Sequence, residues 1–432
     1  MRPRPSPGAR GLALDLLERT LERRRPLDEA LDDSEIAPAL QSRDRAFAHL
    51  LALTTLRRLG QIDAVLSAFL ERPLPARRHA VRNLLRLGAA QLLFLDTPPH
   101  AAVDATVSLA GEIAAPAFAS LANAVLRKVA REGKALVAAQ DAARLDTPAW
   151  LWQSLVEAYG EATARDIANA HLAEPALDLS CKAESEAWAA RLGGVLLPTG
   201  TIRLASRPPV EGLPGYAEGA WWVQDAAAAL PARLLGPVAG RKVVEVGAAP
   251  GGKTAQLAAA GAEIIALDRS AKRLAVLRDN LARLRLDATL VEAGATNWHP
   301  EAPADAVLID APCSATGTIR RHPEAPHIRD LADAERLAAT QDALIEAAVS
   351  WLKPGGVLVF ATCSLLPLEG EARIEAALAK PLGLAREPIQ ASELSGLPEA
   401  VTPRGALRTL PCHLAAQGGM DGFFAARLRR FR

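Results

Sequence analysis

From residue 243 onward, short apolar runs alternate with longer amphipathic stretches, and that alternation leaves few folds open to this chain. The runs are VVEV (243–246), EIIALD (263–268), ATLVEA (288–293), AVLID (306–310) and VLVFAT (357–362). Between them, 253–260, 270–284 and 332–352 carry helical periodicity. Continuous apolar strands joined by helices bury both faces of a parallel sheet, so an α/β doubly wound, Rossmann-like domain is expected. The tail GGMDGFFAARLRR (418–430) supplies a last strand, expected antiparallel at the far edge of the sheet. In such a sheet the strand ends converge on one crevice, where ligands bind. Three ends carry chemistry there: the loop Gly247-Ala248-Ala249-Pro250-Gly251-Gly252-Lys253, Cys313 in DAVLIDAPCSATG (305–317), and Cys363 in GVLVFATCS (356–364). Two thiols far apart in sequence are thereby expected to meet beside a Gly-rich loop.

The chain ahead of this region divides in two. Residues 9 to about 140 read as helices, with Leu12, Leu16, Leu17 and Leu21 on one face and Val81, Leu84, Leu85, Leu92 and Leu93 on another. Breaks fall at Pro73/Pro75, Pro98-Pro99 and Pro116. At 146–148, Thr147 is a candidate cap before Pro148 and an aromatic helix with Trp150, Trp152 and Tyr159. Short strands and turns follow, LDLSCK, GVLLP and TIRLAS, up to about residue 220. The expected organisation is multidomain: an all-α domain (1–140), a small α+β module (146–220) and the α/β domain (221–432).

The totals exclude several classes. A net charge of +1 makes the chain no polycation, so any nucleic-acid site must be a local patch. Four cysteines without regular spacing give neither a disulfide framework nor a zinc knuckle, which fits a reducing cytoplasm. No metal is expected, and Cys181 and Cys412 lack the context of the other two. The basic N-terminus is interrupted by Asp15 and Glu18, and no run reaches the ~18–20 apolar residues of a membrane span. A soluble cytoplasmic protein is expected.

The Gly-rich loop supports two readings. Gly247 through Thr254 matches the phosphate-binding pattern of nucleoside triphosphatases, and Asp310 could pass for their metal-binding carboxylate. Three features argue against that reading. Asp268 ends the next strand, where a carboxylate accepts the ribose hydroxyls of an adenosine cofactor. Asp310 is followed by Ala-Pro-Cys-Ser, which presents a thiol, and Cys363 emerges at the same edge.

Taken together, VVEVGAAPGGKT, ALDRSAKRL (266–274), LIDAPCSATGTIRRHPE (308–324) and ATCSLLPLEGE (361–371) resemble the RNA 5-cytosine methyltransferases of the RsmB/Sun type. WWVQDAAAAL (221–230) and the tail MDGFFAARL fit the same family. VRNLLRLGAAQLLFLDTPPHAAVDATVSLA (81–110) and SLANAVLRKVAR (120–131) are similar to the NusB-like RNA-binding domain fused to bacterial members.

The resemblance implies S-adenosyl-L-methionine as cofactor, a cytosine of 16S rRNA as substrate, Cys363 as nucleophile and Cys313 as the residue that assists product release. Asp310 would hydrogen-bond the cytosine ring and also border the cofactor. Gly247, Ala248, Ala249, Pro250, Gly251, Gly252 and Lys253 would cradle the cofactor, with Asp268 on its ribose. Lys253, Arg320 and Arg321 are candidate RNA contacts. The sequence departs from the family twice: the loop opens with Gly247 where Cys is usual, and Gly294 stands where an adenine-contacting Asp is usual. The same chemistry on transfer RNA, a phosphate-loop enzyme and a catalytically silent RNA-binding protein are the alternatives.

Overall fold

The computed structural model describes residues 8–113, 116–394 and 396–431. Two compact units are distinguished: one holds the chain up to Ala173 together with Ile319–Asp330, the other Glu174–Thr318 and Leu331–Arg432.

The first unit is helical. Its helices are Ala9–Arg23, Leu27–Asp32, Ser42–Arg57, Leu59–Phe69, His79–Phe94, Pro99–Ile113, Pro116–Ala138, Ala142–Leu145 and Ala149–His171. Two begin at Pro99 and Pro116, where a missing N–H costs nothing in a first turn. The leucine faces read from sequence close on one core, in which Leu12, Leu16, Leu17, Leu51, Leu84, Leu85 and Leu126 are buried. Helix Ala149–His171 starts behind Pro148, with no side-chain cap from Thr147. Ile319–Asp330 completes the unit. The Leu27 N–H donates to Glu324 (3.3 Å), Arg57 donates to the Arg320 carbonyl (2.8 Å), and the Trp150 indole N–H donates to the Pro326 carbonyl (3.1 Å).

The second unit carries two sheets. The smaller is antiparallel, with β1 (Leu177–Cys181), β2 (Val195–Leu196), β3 (Ile202–Leu204) and β4 (Trp221–Val223) in the order β2-β3-β1-β4. The larger contains β5 (Lys242–Val246), β6 (Glu263–Asp268), β7 (Thr289–Glu292), β8 (Ala304–Asp310), β9 (Leu352–Thr362), β10 (Leu384–Arg386), β11 (Leu407–Thr409) and β12 (Phe423–Arg430). Its order is β10-β12-β9-β8-β5-β6-β7, with β11 paired to β12. Strands β5 to β9 are parallel, and β12 runs antiparallel to β9. The chain moves outward from β5 to β7, then returns to β8 on the other side of β5. The loops after β5 and β8 therefore diverge and open a crevice at the switch point.

Two sequence expectations are corrected here. The tail strand β12 is antiparallel but not at the edge, because β10 pairs beyond it. Nor is 146–220 a separate module. Helix Ala149–His171 belongs to the helical unit, whereas the small sheet takes in β4 past residue 220 and belongs to the other. The buried Arg203 guanidinium grips Asp178 through two 2.7 Å hydrogen bonds. It also donates to the carbonyls of Gln417 and Gly419, tying the small sheet to the chain's distal part. Trp221 and Trp222 are buried packing residues in β4.

Candidate active site

The crevice is built from the ends of β5, β6, β8 and β9. After β5 the chain turns through Gly247 at φ +74°, where a Cβ would lie 2.3 Å from the Asp310 carbonyl oxygen. A residue without a side chain lets the β5 and β8 loops touch. The Gly247 and Ala248 N–H groups both donate to the Leu267 carbonyl (2.9 and 3.0 Å), fixing the loop over the end of β6. The Ala249-Pro250 peptide is cis. Lys253 follows in the first turn of helix Gly252–Ala259, and its ammonium donates to the Asp310 carboxylate at 2.6 Å. It also lies 5.2 Å from the centre of the Phe423 ring. Burial by itself would lower the Lys253 pKa. Asp310, through its charge and its hydrogen bond, together with Glu245 and Cys363, outweighs it, so the ammonium is held above its ordinary range. Beneath the loop, burial pushes Glu245 up to about 8 against a hydrogen bond from Thr254.

Asp268 at the end of β6 is buried, and its carboxylate is oriented by three donors. These are the Ser270 N–H (3.0 Å), the Ala249 N–H (3.3 Å) and the Arg273 guanidinium (3.2 Å). Beyond β7, Gly294 has φ −76° and ψ 121°, and a Cβ there would have nothing within 4 Å. A glycine loop close to the strand end, an oriented carboxylate one strand over and open space at Gly294 fit an adenosyl cofactor.

The two thiols meet as expected: the sulfurs of Cys313 and Cys363 are 3.4 Å apart. The hydrogen bond with Cys363 is the main influence that raises Cys313 well above the ordinary thiol range, followed by burial and by the charges of Cys363 and Glu369. Sequence reasoning missed the group that joins their loops. Glu369 accepts hydrogen bonds from the residue after each cysteine, Ser314 and Ser364. Both serines and the glutamate lie inside strings quoted above, but nothing in one string points to the other. Cys181 is elsewhere, pushed up to about 11 by burial.

The two arginines expected at RNA both fall in Ile319–Asp330, which folds with the helical unit. Arg320 is only 1% exposed. Arg321 is half-buried.

A parallel sheet of this order, closed by an antiparallel strand and carrying a Gly-rich loop with an acidic residue at the next strand end, defines an S-adenosylmethionine-dependent methyltransferase. The profile of the 16S rRNA methyltransferase RsmB/F family matches residues 232–429, and that of the NusB family matches residues 7–131. The ribosomal RNA small subunit methyltransferase B of Pseudomonas putida is 39% identical over 90% of this chain and 91% of its own. That of Klebsiella pneumoniae is 35% identical over 98% of each. Among solved structures, PH0851 superposes with a TM-score of 0.73 over 97% of this chain and 98% of its own, at 22% identity, a likeness of fold. The chain belongs to the RsmB/F family of 16S rRNA methyltransferases, with an N-terminal NusB-family domain. The phosphate-loop reading of Gly247–Thr254 is thereby set aside. Among the described residues, no helix is long and apolar enough to cross a membrane.

Proposed function

We propose that this enzyme methylates carbon 5 of a cytosine in 16S rRNA through a covalent adduct between Cys363 and carbon 6 of the ring. The observation that carries the reading is the sulfur pair, two thiols 3.4 Å apart at the end of the sheet that bears the cofactor loop. Carbon 5 of cytosine is too weak a nucleophile to accept a methyl group unaided. Addition of the Cys363 thiolate to carbon 6 gives carbon 5 enamine character and divides one hard step into two easier ones. Bound S-adenosylmethionine supplies the electrophilic methyl group, held by Gly247–Lys253 and Asp268, with Gly294 and Asp310 bordering it. Asp310, paired to Lys253 at 2.6 Å, is the acid group that hydrogen-bonds the ring as carbon 6 is attacked. Cys313 takes part in release: after methyl transfer the carbon 5 proton passes to a base, solvent water or a Cys313 thiolate, the C–H electron pair restores the ring double bond, and the bond between carbon 6 and Cys363 breaks to return the thiolate. The raised pKa of Cys313 makes its thiolate the stronger base of the pair. A base reaches this crevice only when unstacked, so the target is a single-stranded or loop cytosine. The NusB-family domain binds the RNA through its phosphates.

The test is transfer of labelled methyl to transcribed 16S rRNA, with the product mapped to the base. Label at carbon 5 of one cytosine is expected; label on another atom or base overturns the chemistry. Equal or greater labelling of transfer RNA would reassign the substrate. Cys363→Ala is expected to abolish turnover while cofactor binding stays near wild type. Cys313→Ala is expected to accumulate a protein–RNA adduct on a denaturing gel. Retained turnover in Cys363→Ala removes the nucleophile from the scheme, and full turnover without adduct in Cys313→Ala removes the release role.

A further inference from the structure

Directly behind the sulfur pair lies an acid that the scheme above does not use. Glu369 follows β9 in LLPLEGE and is 0% exposed. One carboxylate oxygen accepts the Ser314 hydroxyl at 2.5 Å and the Ser364 hydroxyl at 2.6 Å. The other accepts the Ser314 backbone N–H at 2.9 Å and the Gln341 amide at 3.3 Å. Ser314 is the residue after Cys313, and Ser364 the residue after Cys363. One buried carboxylate thus grips both cysteine loops one residue from each sulfur. Two further bonds knit the loops above it, from Gly317 N–H to the Cys363 carbonyl (2.9 Å) and from Leu365 N–H to the Thr316 hydroxyl (2.9 Å).

All of these donors to Glu369 are neutral. Burial pushes its carboxyl above the ordinary carboxylate range, against the hydrogen bonds from Ser314, Ser364 and Gln341. Replacing the acid by an apolar group would leave the two serine hydroxyls without their common acceptor. The nearby cations are engaged elsewhere: Lys253 is paired with Asp310, and Arg408, which donates to the Ser364 carbonyl (2.5 Å), is paired with Glu371.

We propose that Glu369 is a positioning residue for the thiol pair, holding the two sulfurs in contact by gripping Ser314 and Ser364. The role of the pair in catalysis rests on the reading in the previous subsection; the geometry of the clamp does not. Two variants grade the loss of the clamp. Glu369→Gln keeps the shape but offers one acceptor oxygen where the carboxylate offers two; Glu369→Ala removes both.

The experiment uses the full-length protein without RNA. Phenylarsine oxide reads the contact, because one arsenic bridges two nearby thiols with loss of one water and no change of oxidation state. In Glu369→Ala, arsenical binding is expected to weaken by about tenfold or more, the size of effect that losing a buried acceptor has on a site. In Glu369→Gln, which keeps one acceptor oxygen, a smaller loss of about threefold is expected. Turnover in Glu369→Gln is expected to fall with the KM for S-adenosylmethionine within about twofold of wild type, a split that general unfolding would not give.

Unchanged arsenical binding in a folded Glu369→Ala protein overturns the clamp. If Glu369→Ala does not fold, Ser364→Ala, which removes one arm, carries the test with the same expected direction. Should Cys363→Ala retain methylation, the nucleophile reading fails while the arsenical comparison still decides the role of Glu369.

Discussion

Gly294 offers a direct gain-of-affinity test of how this chain holds its cofactor. The resemblance to the RsmB/Sun type implies an adenine-contacting Asp at this position, where this chain has glycine. The backbone does not forbid one. With φ at −76° any L residue is accommodated, and a Cβ would meet nothing within 4 Å, so Gly294→Asp carries no strain or steric term. Gly294 also precedes the turn Ala295–Asn297 in a cap position, where Asp is favoured. Restricting the unfolded chain adds a further ~0.4–1 kcal/mol of stability, so Tm is expected to hold or rise. A single restored hydrogen bond to the adenine amino group contributes ~0.5–1.5 kcal/mol, which is a gain of about two- to tenfold in affinity. Titration calorimetry with S-adenosylhomocysteine measures it, and the S-inosylhomocysteine analogue, which lacks that amino group, is the control. An improvement confined to the adenosyl ligand is expected. Equal improvement for both ligands would mean that the effect is not a base contact. No improvement, with Tm unchanged, would show that Gly294 does not face the adenine.

Three further outcomes are expected. Gly247→Ala places a Cβ 2.3 Å from the Asp310 carbonyl at positive φ, so a loss of at least ~1–2 kcal/mol is expected in thermal unfolding, with weaker cofactor binding beside it. Burial pushes Glu245 up to about 8 in the folded protein, against an ordinary 4.5. The folded protein therefore binds the extra proton between those values and loses stability as pH rises through them, and Glu245→Gln is expected to flatten denaturation midpoints measured between pH 6 and 9. His171 is held down to about 3 and His327 down to about 4 by burial, both below the ordinary 6.5. The unfolded state then binds more protons on the acid side, so stability is present above about pH 6.5 and is lost as pH falls toward 4. His171→Gln is expected to reduce that loss in urea unfolding at pH 5 relative to pH 7.

Much of this fold could be read from periodicity. EIIALD coincides with β6 residue for residue, because its apolar run is bounded by Gly261 and by the polar Arg269-Ser270. The edge of the sheet was not legible: β10 is the three-residue Leu384–Arg386, too short to carry any alternation, so β12 looked terminal. The thiol pair was legible because topology alone brings strand ends together, and the 3.4 Å contact follows from it. Glu369 was not, because its role consists of side-chain bonds to Ser314 across 55 residues and to Ser364 across 5. No local pattern encodes such a meeting. The burial of Arg320 was not legible from its charge; the apolar neighbours Ile319, Ala325, Pro326 and Ile328, all buried, carry the signal that this stretch packs into a core.

That stretch also sets the order in which the protein can be completed during synthesis. Translation delivers the first 173 residues as a helical body that still lacks Ile319–Asp330. The Trp150 indole, the Leu27 N–H and the Arg57 guanidinium each wait for a partner more than a hundred residues downstream. The helical unit is therefore finished only after four of the eight strands of the catalytic sheet, β5 to β8, have been synthesised. For the same reason the two halves are not exchangeable cassettes. A cut at residue 173 severs the helical body from one of its own pieces and leaves Ile319, Ala325, Pro326 and Ile328 attached to the wrong fragment.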